Sequence, residues 1–109
     1  MKITGKGKML KIFIGENDKY RGKPLFDAIV QRLQKEGLAG ATVIKGIEGY
    51  GANSRIHTSK ILRLSEDLPI VIEVIDKEDR IEKIIPILDE MVKEGLVLVV
   101  HDVEIIKYT

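Results

Sequence analysis

Leu10-Lys11-Ile12-Phe13-Ile14 decides the fold, because the chain says it twice: 58 positions further on stands Leu68-Pro69-Ile70-Val71-Ile72. The same offset, with no gap, sets Lys35-Glu36-Gly37-Leu38 on Lys93-Glu94-Gly95-Leu96, Asp18-Lys19 on Asp76-Lys77, and Tyr50 on Tyr108. From Leu10 to Gly51 there are 12 identities in 42 pairs. A solenoid needs several short repeats, whereas a single long offset means one supersecondary unit duplicated and fused. Each copy reads strand, loop, helix, strand. Two copies in tandem predict βαββαβ, an α+β ferredoxin-like double βαβ fold: a four-stranded antiparallel sheet with two helices on one face.

The local signals agree with that plan. Leu10, Ile12 and Ile14 alternate with Lys11 and Phe13 at strand period. Pro24 suits the first turn of a helix. Leu25, Phe26, Ile29, Val30 and Leu33 then recur at helix spacing, and Gly37 is a natural stop. Residues 42–47 read as the second strand and 68–75 as the third. Asp79 with Glu82 resembles a capping box for a second helix, whose buried face would carry Ile81, Ile84, Ile85, Leu88, Met91 and Val92. Pro86 inside that pattern predicts a kink. Residues 96–100 and 103–106 supply the last strand, with a bend near His101-Asp102. Residues 1–8 read as a loose arm or as the start of the first strand.

Composition narrows the function classes. The 109 residues predict one domain over residues 1–109. A net charge of +1 gives no electrostatic case for a nucleic-acid partner or a charged membrane surface. The absence of Cys removes thiol chemistry and disulfides. No apolar run approaches the length of a membrane span, and the basic N-terminus lacks a signal-peptide core. A cytoplasmic location is expected.

Two features point toward function. Two helices cover only one face of a four-stranded sheet, so the other face should be polar. Phe13, Val71 and either Leu96/Leu98 or Val97/Val99 make it apolar instead. Such a face usually marks an interface, here read as a homo-oligomer with sheets packed together. The second feature is the connection at residues 49–67, far longer than a hairpin needs. In the duplication it is an insertion between the two copies, and function is commonly carried on such loops. Residues 52–60 are expected to move in the absence of ligand.

Chemistry-bearing groups are sparse. The Gly15–Lys23 region has strand-to-helix context, yet six residues separate its glycines and Pro follows the Lys, so it is no P-loop. Helix amides with Arg21 and Lys23 remain a generic anion site. Gly46, Gly49 and Gly51 at the root of the long loop would let backbone approach a ligand, beside Tyr50. The serines lack a nucleophile setting, and no acid–base pair of carboxylates emerges, so no catalytic residues are assigned and no enzyme is expected. Few aromatics argue against an RNA-binding sheet.

Gly37-Leu38-Ala39-Gly40-Ala41-Thr42-Val43, Lys45-Gly46, a long loop, and Asp67-Leu68-Pro69 leading into Ile70-Val71-Ile72-Glu73-Val74 together resemble the PII-type nitrogen-signalling proteins. Gly46-Ile47-Glu48-Gly49-Tyr50-Gly51, Ile56-His57-Thr58 and Leu64-Ser65-Glu66-Asp67-Leu68-Pro69 look closer still to the uncharacterised bacterial and archaeal PII-like branch. The resemblance implies a homotrimer with inward-facing sheets and ADP or ATP in the clefts between subunits. It also implies a long loop that signals to a membrane transporter or an enzyme. Carried onto this chain, Gly46, Ile47, Glu48, Gly49 and Tyr50 would touch the nucleotide. Thr42 would lie near the base, Asp67 and Leu68 would flank it, and Lys107 would meet the phosphates; by its charge Arg55 would be a further phosphate partner, with Arg21 and Lys23 as a second possibility. Where PII proteins have a Gly-rich, Lys-bearing loop after the second helix, this chain has Lys93-Glu94-Gly95-Leu96. The same trimeric plan occurs in divalent-cation tolerance proteins, so the alternative is a metal-binding trimer using His57 with Glu48 or Asp102.

Overall fold

The computed structural model describes residues 1–50, 56–58 and 67–109. Its elements in chain order are β1 (Lys2–Gly15), β2 (Lys19–Tyr20), β3 (Lys23–Pro24), α1 (Leu25–Lys35), β4 (Thr42–Lys45), β5 (Glu48–Tyr50), β6 (Ile56–Thr58), β7 (Pro69–Asp76), α2 (Glu78–Met91) and β8 (Leu96–Tyr108). The main sheet has the order β4-β7-β1-β8 and its pairings are all antiparallel. This is the arrangement the duplication predicts: each copy contributes one central strand and one edge strand.

The helix-side core follows the alternation read from the sequence. Leu10, Ile12 and Ile14 of β1 and Ile70, Ile72 and Val74 of β7 are buried on one face. Leu25, Ile29 and Leu33 of α1 and Ile81, Ile84, Leu88 and Met91 of α2 close over them. Burying such side chains stabilises by roughly 1.5–3 kcal/mol each.

Helix α1 ends as Gly37 requires. Gly37 has φ +87°, its N–H donates to the Gln34 carbonyl at 3.1 Å, and the Leu38 N–H donates to the Leu33 carbonyl at 3.1 Å. That pair of bonds is a Schellman motif, with Leu38 buried beneath it. At the other end Pro24 stands one residue before the helix, paired with Lys19 in the small β2–β3 hairpin. The turn residues of that hairpin, Arg21 and Gly22, have φ of 51° and 80°, as a type I′ turn needs.

Two local expectations are decided by distant contacts. The capping box does not form: Lys77 occupies the N-cap position of α2 without a side-chain cap, and Asp79 lies in the first turn. Glu82 is taken by Lys8 instead, at 2.9 Å across 74 residues. Of the two readings of residues 1–8, the start of the first strand holds and the loose arm does not. β1 begins at Lys2 and pairs with the end of β8 from Lys2↔Tyr108 to Gly7↔Val103. The ribbon closes at its tip, where the Met1 ammonium donates to the Thr109 carbonyl and the Thr109 N–H to the Met1 carbonyl. Helix α2 continues past Pro86 to Met91.

The expected bend in the last strand is a β-bulge. Register shifts between Gly7↔Val103 and Met9↔Val100, so Lys8 faces both His101 and Asp102. Asp102 has φ 59°, a left-handed conformation that Asp tolerates better than most residues.

Candidate functional site

The bulge separates the body of the sheet from the β1/β8 ribbon, and an open cleft of about 1390 Å³ lies beside that ribbon. One wall is the ribbon itself, with Ile3, Lys6, Ile106, Lys107 and Tyr108. A second wall is residues 39–42, the end of the connection from α1 into β4. The third is the end of β7 and the start of α2, with Ile75, Asp76, Lys77 and Arg80. Strand β4 starts only at Thr42↔Glu73, while β7 continues to Asp76, which is why the sheet edge opens there.

Many charged groups near the cleft are already committed. The Lys8 ammonium, nearly buried, lies 2.9 Å from Glu82 and 3.2 Å from Glu78. Its hydrogen bond to Glu82 is the main cause that holds its pKa above the ordinary lysine value, assisted by Glu78 and opposed by burial. Asp76 is buried too: its Oδ1 accepts from the Lys77 N–H at 2.7 Å and its Oδ2 from the Ala39 N–H at 2.9 Å. Glu73 pairs with Lys11 at 3.6 Å. Lys107 is exposed and has no ion-pair partner among the described residues.

The expected site residues fall into two groups within one chain. Thr42 and Lys107 line the same cleft. Gly46, Ile47, Glu48, Gly49, Tyr50, Asp67 and Leu68 stand at the other end of β4, where β5 pairs with β6 through Glu48↔Thr58, Gly49↔His57 and Tyr50↔Ile56. Arg55 and Gly51, most of residues 52–60 and the His57 side chain lie outside the described residues.

At the loop root the glycines have a packing reason that the sequence did not show. A Cβ on Gly46 would come 2.7 Å from Pro69 Cγ, and one on Gly49 would come 3.0 Å from the same atom. The Gly46 N–H also donates to the Pro69 carbonyl at 2.7 Å. Asp67 Oδ1 accepts from the Asn17 N–H at 2.8 Å, which ties the far end of the long connection to the turn after β1. Leu68 is buried, with its carbonyl accepting from the Glu16 N–H at 2.8 Å. Ile47 and Tyr50 are the exposed members, at 75% and 76%. They are apolar groups free to meet a ligand or another chain.

Two groups of the generic anion site before α1 are engaged within the protein. The Leu25 N–H donates to the Asp18 carbonyl at 2.8 Å, and the Arg21 guanidinium sits 5.2 Å from the Tyr20 ring centroid. Among the described residues no three His, Cys, Asp or Glu side chains gather as a metal site. No helix among them is long and apolar enough to cross a membrane.

The double βαβ sheet with a long insertion between the copies is a ferredoxin-like fold of the PII-like type. Solved structures agree. CPII, a nitrogen regulatory PII-like protein from Thiomonas intermedia, superposes with a TM-score of 0.63 at 21% identity, covering 94% of this chain and 91% of that one. A second CPII structure gives 0.59 at 20% identity over the same shares. The chain belongs to the family described as Uncharacterized ACR (DUF190), which it matches over residues 7–105. A UPF0166 protein of Methanocaldococcus jannaschii is 39% identical over 102 residues, 94% of each chain. A UPF0166 protein of Aquifex aeolicus is 37% identical over 102 residues, 93% of this chain and 94% of that one.

The sequence reading missed the ribbon wall and the ties made by Lys8, Asp76 and Arg80. A signal for one of them was present: Asp76 is the duplicate of Asp18.

Proposed function

We propose that this protein is a PII-like regulatory protein, a binder rather than an enzyme, that takes an adenine nucleotide, ADP or ATP, in clefts between the subunits of a cytoplasmic homotrimer. The observation that carries this reading is the open sheet face. Ile44, Val71, Phe13 and Leu96 form one apolar row across all four strands, and Ile75, Met9 and Val100 form another. Between them runs Thr42-Glu73-Lys11-Leu98, with the Lys11–Glu73 pair neutralising its own charges. Such a face on a chain of this size fits burial against further copies.

The division of the candidate residues favours a shared site. Thr42 and Lys107 stand at one end of β4 and the loop root at the other, so a neighbouring subunit is the natural means of completing a single pocket. A nucleotide is the ligand this chemistry suits. The exposed Tyr50 and Ile47 offer apolar contact for a base, and Lys107, with Arg55, offers cations for phosphates. CPII was solved with ADP, AMP and bicarbonate in one structure and with ADP and bicarbonate in another, which supports the same ligand class here. The 49–67 connection would then carry the signal to a transporter or enzyme.

Mass spectrometry of the purified, denatured protein tests the ligand class. An adenine nucleotide at up to one equivalent per chain is expected. A trimer that releases no nucleotide and takes up none when ADP is added at millimolar concentration would overturn the nucleotide reading. Tight divalent-metal binding lost in His57→Ala would favour the cation-binding alternative.

A further inference from the structure

We infer that Asp76, with Arg80 beside it, is a positioning residue for the cleft: it clips the connection between α1 and β4 to the start of α2, and so sets the wall that carries Thr42. This rests on the nucleotide reading above. Residues 39–41 leave the core after Leu38 and join the sheet only at Thr42. Over that interval the Asp76 carboxylate supplies a side-chain anchor, 2.9 Å from the Ala39 N–H. Arg80 adds a second tie, donating from Nη1 to the Gly37 carbonyl at 3.2 Å while standing 3.8 Å from Asp76 Oδ2.

The residue type matters. Two backbone N–H groups from different segments converge on one side chain, and a carboxylate offers each its own oxygen. Asn could serve only one of them through oxygen, and would turn a donor toward the other. The duplication sharpens the point. Asp18, the counterpart in the first copy, accepts from the Gly15 N–H at 2.9 Å, within its own turn. In the second copy the same residue reaches back 37 positions to the first. Ala39 is exposed, so water can replace the carboxylate at its N–H. Loss of the clip therefore costs the wall its position more than it costs the fold its stability.

The test combines amide hydrogen exchange, thermal melting and titration with ADP on wild type, Asp76→Ala, Asp76→Asn and Arg80→Gln. In Asp76→Ala the Ala39 amide is expected to exchange roughly tenfold faster or more, with β1 and β7 protection unchanged. ADP affinity is expected to fall by roughly tenfold. Asp76→Asn, which can accept from only one of the two N–H groups, should depart from wild type in the same direction in at least one readout. If Asp76→Ala does not fold, Asp76→Asn and Arg80→Gln, whose side chain is half-exposed, carry the same comparison. Unchanged Ala39 exchange overturns the clip. Faster exchange with unchanged ADP affinity, or affinity that falls only in step with melting temperature, overturns the positioning role. A wild type that binds no ADP overturns the nucleotide reading and the positioning role with it, while Ala39 exchange still reports on the clip by itself.

Discussion

Leu98→Lys should dissociate the assembly without unfolding the chain. Leu98 lies on the open face opposite Lys11, and 43% of it is exposed in the single chain. Full burial of a leucine is worth roughly 1.5–3 kcal/mol, so burying the exposed share against a neighbour is worth about 1 kcal/mol per copy. Three copies lose about 3 kcal/mol of association from the apolar term alone, a factor of roughly a hundred. The substitution also sets a second ammonium beside Lys11 in a surface that would close on itself, and burying an unpaired charge costs several kcal/mol more. The helix-side core is untouched, since Val97 and Val99 face it from the same strand. Size-exclusion chromatography with light scattering at micromolar concentration is the assay. Wild type is expected near three times the 12.3 kDa chain mass, and the variant near one. A Leu98→Lys protein that keeps the wild-type mass would refute the assignment of this face to the interface.

Other expectations follow from single positions. Gly95→Ala should lower stability by roughly 1–3 kcal/mol, because φ there is +147° and a Cβ would meet the Phe13 carbonyl oxygen at 2.5 Å; a melting temperature equal to wild type would contradict that geometry. Lys8 gives a pH dependence with a definite sign. Its folded pKa is raised above 10.5, so its contribution is complete below that value and is lost as pH rises through the folded pKa. Alkaline titration of thermal stability should therefore show a loss in wild type that Lys8→Met lacks, and parallel curves would remove the ion pair from the account. Lys107→Ala should weaken ADP binding by about tenfold to a hundredfold, or about 1.5–3 kcal/mol, and unchanged calorimetric affinity would take Lys107 off the phosphates.

How far the sequence carried depends on the range of the interaction. The fold was readable because the duplication supplies two independent views of each element: Gly37 stops α1, and its counterpart Gly95 precedes β8 as Gly37 precedes β4. Periodicity named the helix faces correctly, down to the half-buried Phe26, Val30, Ile85 and Val92. The bend near His101-Asp102 was visible as a break in alternation, and it is the bulge. What failed was local inference overridden by a distant partner. Asp79 and Glu82 had capping-box spacing, but Glu82 answers Lys8 on another strand. Residues 1–8 looked weak because their pairing partner lies at the opposite end of the chain. The loop-root glycines were read as room for a ligand, and their contact with Pro69 could not be seen without the pairing of β4 and β7. The division of the candidate residues between the two ends of β4 was not readable either, because it too depends on the strand pairing.

Calorimetric titration of the assembled wild-type protein with ADP and ATP tests the central claim most directly. Saturable binding at micromolar concentration is expected, with one nucleotide per chain and heat lost in the Leu98→Lys monomer, because the pocket needs two subunits. Binding of undiminished affinity to that monomer would contradict the inter-subunit site, and no binding of either nucleotide below millimolar concentration would contradict the proposed function itself.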